Sequence, residues 1–144
     1  MPKWLKIVLA LVVFFVLLCG GLSAAAYFWF EANKERLKGV TERAHAEAGE
    51  YAYSHDANEC VSAALGKLTQ RNSIVDEAEH KIFLKACIDK ARRPAGFCTG
   101  VPVRSEIFAS AQWAVEKCQA LGYAGSQPCG RLVQAIQEAC HPKQ

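Results

Sequence analysis

Residues 56–90 read DANECVSAALGKLTQRNSIVDEAEHKIFLKACIDK, and this stretch decides the fold. Asp56-Ala57-Asn58-Glu59 sets a short acidic side chain three residues before a glutamate. In that pattern the first side chain accepts from the backbone inside the first turn, and the glutamate reaches back to the first N–H. The helix so opened presents Cys60 or Val61, Ala64 or Leu65, and Leu68 at helical spacing, and is expected to end near Gln70. Ser73-Ile74-Val75-Asp76 opens the next helix in the same way. Its apolar stripe is Val75, Ala78, Ile82 or Phe83, and Ala86, and it ends before Pro94. Two such helices joined by a few polar residues, turning near 71–72, make an antiparallel hairpin. Nowhere in the chain do β-branched residues alternate over a useful length, so no strand competes. The fold class is all-α.

Toward the C-terminus, residues 94–104 (PAGFCTGVPVR) form a Pro/Gly connector. Ser105 is expected to cap a third helix that buries Phe108, Ala111, Val115, Cys118 and Leu121, with Gly122 as its stop. After the loop GYAGSQP, a last helix from about Cys129 to Cys140 buries Leu132, Val133 and Ile136. His141-Pro142 ends it.

Toward the N-terminus, residues 31–54 are mostly helix formers with a weak stripe through Leu37, Val40, Ala44, Ala48 and Tyr51 or Ala52. They are expected to be a stalk or the first bundle helix, bent near Gly39 or Gly49. Before them, Ile7–Phe30 (IVLALVVFFVLLCGGLSAAAYFWF) holds 24 residues without a charge. As a helix it is about 36 Å long, enough to cross a hydrocarbon core of about 30 Å. Trp4 at one end and Tyr27 and Trp29 at the other suit the two interfaces. A cleaved signal peptide would use Lys3 and Lys6 as its basic leader and Ser23-Ala24-Ala25 as its cleavage site. The apolar run continues past that site through Tyr27-Phe28-Trp29-Phe30, so an uncleaved anchor is expected. Leu18, in place of a small residue before Cys19, argues against a bacterial lipoprotein signal. Gly20 and Ala24, like Gly21 and Ala25, are four apart, a spacing that lets two membrane helices approach closely. The expected organisation is an anchor (1–30), a stalk or first bundle helix (31–55) and a stapled domain (56–144), with four to five helices in the bundle.

Seven cysteines in 144 residues, six of them after residue 31, point to an oxidising compartment and a disulfide framework. If the helices are antiparallel neighbours, Cys60 and Cys87 lie at the same end of the first hairpin. Cys118 and Cys129 flank the turn of the second. Cys140 lies about 16 Å from Cys129 along one helix, at the end where the connector carrying Cys98 returns. The expected bridges are Cys60–Cys87, Cys98–Cys140 and Cys118–Cys129, with Cys19 free. The rival set joins Cys87 to Cys98 and Cys60 to Cys140.

Orientation divides the signals. Lys34, Arg36, Lys38 and Arg43 follow the apolar run, and only Lys3, Lys6 and the α-amine precede it. Taken alone, that charge bias puts the domain in the cytoplasm, where its thiols would be free. The cysteine usage and the short basic leader place the N-terminus in the cytoplasm and the domain outside, in the periplasm if the cell is Gram-negative.

Residues 31–144 carry 15 basic and 14 acidic side chains, a near-balance that excludes a polybasic nucleic-acid binder. The charge is uneven, however: net −4 over residues 31–80 and net +5 over 81–144. The halves are expected to attract each other. Alternatively, Lys90, Arg92, Arg93 and Arg104 form a docking surface for an anionic partner or lipid headgroup. No redox Cys pair, haem-attachment motif, nucleophile elbow or phosphate loop occurs. His45, His55, His80 and His141 have no metal-ligand spacing, and no pair of carboxylates stands out. No catalytic residue, metal or cofactor is expected. The function expected is that of a non-enzymatic accessory, scaffold or interaction subunit of an envelope complex. The alternative is a small extracytoplasmic hydrolase or glycan-binding domain held at the membrane.

Overall fold

The computed structural model describes residues 3–68 and 73–142. Among them are five helices and no strand: α1 (Lys3–Ser54), α2 (Ala57–Leu68), α3 (Ile74–Lys90), α4 (Ile107–Ala120) and α5 (Gln127–Cys140). The expected turn at 71–72, the end of α2 near Gln70 and the side chains of Lys3 and Lys6 lie outside the described residues. The chain divides into two compact units, Met1–Gly39 and Val40–Gln144.

In the first unit every side chain from Ile7 to Phe30 is exposed, including Phe14, Phe15, Leu17 and Phe28. A helix apolar on all sides and exposed along this length has the composition of a membrane span. This helix is long and apolar enough to be one.

The second unit begins inside α1. Val40, Ala44, Ala48 and Ala52 are buried at intervals of four residues, and the last three join the core. From Val40 onward, α1 is therefore a bundle helix. Gly39 and Gly49 are both helical. At Gly49 a Cβ would stand 2.9 Å from the Lys90 ammonium, so the missing side chain makes room for Lys90 to cross α1. The Tyr51 and Phe83 rings meet edge to face at 6.0 Å, and Lys67 bonds Glu47 across α1 and α2 while lying 4.2 Å above Phe83.

The starts of α2 and α3 form as their sequences dictate. The Asp56 carboxylate accepts from the N–H groups of Asn58 (2.9 Å) and Glu59 (3.1 Å), and Glu59 accepts from Asp56 N–H at 2.7 Å. Ser73 Oγ accepts from Asp76 N–H at 3.1 Å. Helix α3 is central, packed on both α2 and α5. It therefore buries Phe83, Leu84, Ala86, Cys87 and Ile88, while of the expected stripe Val75 and Ile82 are half-buried and Ala78 is exposed. Phe83, Leu65, Leu84, Ile88, Leu132 and Ile136 fill the core.

Two expectations for α4 are corrected. Ser105 is not its cap: the chain turns through Val103–Glu106, and Glu106 stands at the N-cap without a side-chain bond. Nor is its buried face the expected one. Phe108 is 91% and Val115 64% exposed, and Ala111 is exposed too; the face turned inward is Ser110, Ala114, Cys118 and Leu121, with Trp113 beside it. Both ends of α4 are fixed by α5, which sets its rotation. Cys118 is bridged to Cys129, and the buried Gln137 amide donates to Ser110 Oγ at 2.7 Å and to Pro102 O at 2.9 Å. The far end closes as Gly122 demands. With φ +85° at Gly122, Gly122 N–H reaches Gln119 O (3.1 Å) and Tyr123 N–H reaches Cys118 O (2.8 Å). Helix α5 starts two residues before Cys129, because Ser126 caps it and Pro128 suits its first turn.

Three disulfides hold the second unit. Cys60–Cys87 joins α2 to α3, Cys98–Cys140 joins the connector to the end of α5, and Cys118–Cys129 spans the α4–α5 loop, with Cα separations of 5.9, 5.5 and 6.0 Å. These are the pairs that the hairpin geometry gives. Cys19 is free and exposed.

Candidate functional site

On α1, Gly20, Gly21, Ala24 and Ala25 are exposed, and a Cβ at either glycine would meet nothing within 4 Å among the described residues. Ser23 Oγ donates to Cys19 O at 2.7 Å, so its hydroxyl is satisfied inside the helix.

The four basic residues grouped in sequence divide in space. The Lys90 ammonium lies against Gly49. Arg92 holds the bundle through its backbone, its carbonyl accepting from Ala57 N–H at 3.0 Å. Arg93 and Arg104 instead meet at a cavity of about 520 Å³ between α3, α5 and the connector, where Lys85, Asp89 and Glu138 join them. Glu138, its side chain 20% exposed, is ringed by cations: Lys81 and Arg104 each stand 3.6 Å from Oε1, and Lys85 stands 3.7 Å from Oε2. Arg93 pairs with Asp89 at 3.6 Å and donates to Ala139 O at 3.1 Å, satisfying a carbonyl in the last turn of α5. Sequence reasoning missed Lys81, Lys85 and Glu138. The signal was the spacing of Lys81 and Lys85, which puts both on one face of α3.

A second concavity, of about 390 Å³, lies between α4 and α5. Ala111, Ala114, Val115, Gly125 and Gly130 line it, with Arg131 and Gln134 at its polar side. Ile107 (75% exposed) and Phe108 stand on α4 toward its N-terminal end. Arg131 is held by Glu77 of α3 through two hydrogen bonds, and this bonding keeps the Glu77 carboxyl below the usual range.

The histidines stand apart. His55 stacks on Tyr51 at 3.8 Å and bonds Tyr51 O at 2.9 Å, and His141 Nε2 bonds Val101 O at 2.8 Å. His80 Nδ1 is buried without a hydrogen-bond partner among the described residues, and burial, with Lys67 nearby, holds this imidazole below its ordinary pKa. Among the described residues no three His, Cys, Asp or Glu side chains are placed to hold a metal ion. No family model matches the chain, and no curated protein or solved structure matches it.

Proposed function

We propose that this protein is a single-pass, membrane-anchored interaction subunit of a cell-envelope complex. Its N-terminus is cytoplasmic, its stapled domain lies outside the cytoplasm, and its role is non-enzymatic. The observation that carries the reading is the outward face of α4. Ile107, Phe108, Ala111 and Val115 are apolar, consecutive at helical spacing and exposed, on a domain small enough that it can ill spare apolar side chains from its core. Exposed apolar faces of this kind mark sites of association. The adjoining concavity is walled by Ala111, Ala114, Gly125 and Gly130, small residues that admit the side-chain ridge of an apolar or amphipathic helix. The uncovered small residues of α1 support a second contact, within the membrane. The three disulfides support a domain outside the cytoplasm, because disulfides persist there and are reduced inside.

Affinity purification of the chain from native membranes tests the reading. The expected result is a stoichiometric protein partner that is lost from a Phe108→Asp variant whose disulfides are intact. Recovery of the wild-type chain alone contradicts it.

A further inference from the structure

We infer that the cavity between α3, α5 and the connector is a binding site for a phosphomonoester group. Three cations line it, Lys85 on α3, Arg93 just beyond α3, and Arg104 at the end of the connector, and Lys81, one turn before Lys85 and outside the lining, pairs with Glu138. With Lys81 set against Glu138, the three lining cations face one remaining carboxylate, Asp89, which leaves a surplus of two positive charges. The clustering is not the attraction between an acidic and a basic half of the chain. Both carboxylates belong to the basic half, so this part of the molecule concentrates its own positive charge.

The geometry leaves the cations capacity for another acceptor. Every contact to Glu138 and Asp89 is 3.6 to 3.7 Å, beyond ordinary N–H···O length. Three cations share the two oxygens of Glu138, and none closes on them. The surplus charge selects the ligand class. A carboxylate or a phosphodiester carries one negative charge and leaves the site positive. A phosphomonoester carries about −1.5 to −2 at neutral pH, with three acceptor oxygens, and matches the surplus. Arg104 supplies the planar fork suited to two of those oxygens, and Lys85 a point charge.

The site is also held in shape. Cys98–Cys140 ties the connector to α5 beside the cavity. His141 bonds Val101 O, Gln137 bonds Pro102 O and Arg93 bonds Ala139 O across the same junction. The walls of the cavity and Arg93 are thus fixed before the ligand arrives and lose little freedom on binding. At about 520 Å³ the cavity exceeds a bare phosphate, so the group is carried on a larger molecule, either a soluble phosphate ester or a lipid headgroup.

The test uses the full chain in phosphatidylcholine nanodiscs and reads the acylation rate of Lys85 by mass spectrometry, with Lys90, which does not line the cavity, as the internal reference. Glycerol 3-phosphate is the soluble probe and dimethyl phosphate its singly charged control. In the lipid arm, phosphatidic acid or phosphatidylglycerol replaces part of the phosphatidylcholine. Selective, saturable protection of Lys85 by glycerol 3-phosphate assigns a soluble ester. Protection by phosphatidic acid alone assigns a headgroup. In either case Arg104→Gln weakens protection about tenfold, and Glu138→Gln, which removes the competing carboxylate, strengthens it. Arg104→Lys keeps the charge without the fork, and gives an intermediate effect if Arg104→Gln fails to form its disulfides. The inference is overturned if neither phosphomonoester protects Lys85. It is equally overturned if the singly charged phosphates protect as well as the doubly charged ones, or if the Arg104 and Glu138 variants leave protection unchanged.

Discussion

The side-chain amide of Gln137 on α5 donates to the hydroxyl of Ser110 on α4 at 2.7 Å, inside a bundle where Gln137 is 4% exposed. The same nitrogen donates to Pro102 O at 2.9 Å, so one buried amide holds both the connector and α4. Breaking this node strands the Pro102 carbonyl and loosens the rotation of α4. Gln137→Ala is expected to cost about 1–3 kcal/mol, read from denaturant unfolding of the full chain in detergent. A loss below about 0.5 kcal/mol, the scale of a surface change, contradicts a structural role for the amide.

The disulfides are expected to rank by the chain they close. Their sequence separations are 42 for Cys98–Cys140, 27 for Cys60–Cys87 and 11 for Cys118–Cys129. Loop-closure entropy then gives about 4, 3.5 and 3 kcal/mol in that order. Paired Cys→Ala variants, compared by unfolding midpoint under oxidising conditions, measure the ranking. A reversed order means that native packing around each bridge outweighs the entropy of the open chain.

His80 makes the stability of the domain pH-dependent. Burial and Lys67 lower its pKa in the folded state, so below the ordinary value of 6.5 the unfolded chain binds the proton more readily. Its contribution is fully present above pH 6.5 and is lost as the pH falls below it. His80→Gln is expected to flatten the unfolding profile just below pH 6.5 and to leave the profile near pH 8 parallel to wild type. An unchanged slope in the acid window contradicts the assignment.

Phe108 is expected to matter for association and not for folding. With 91% of it exposed, its removal takes almost nothing from the core. Phe108→Ser should change stability by less than about 0.5 kcal/mol. A substantial loss in the isolated chain shows that Phe108 packs inside the molecule.

Much of this architecture was legible because it is local. The Asp56 and Ser73 caps bond within three residues of themselves. The disulfide pairs follow from helix rise and the direction of each hairpin. What could not be read depends on contacts distant in sequence. Helix α4 carries apolar residues on two faces, and the choice between them is made by Gln137, 27 residues beyond Ser110. Glu138 gathers Lys81, Lys85 and Arg104 from two other segments, whereas Lys90 and Arg92, neighbours of Arg93 in sequence, are directed to α1 and α2. Adjacency in sequence grouped basic residues that the fold separates, because the chain leaves α3 between Lys90 and Arg93.

A stapled domain held outside the cytoplasm on an intact anchor is open to a membrane-impermeant protease added to the outer face of the native membrane, in spheroplasts if an outer membrane is present. The expected result is digestion of residues 31–144, an N-terminal fragment that stays in the bilayer, and no thiol other than Cys19 in the undigested protein. Protection of the domain until the bilayer is opened, with six further thiols titrating, would contradict it.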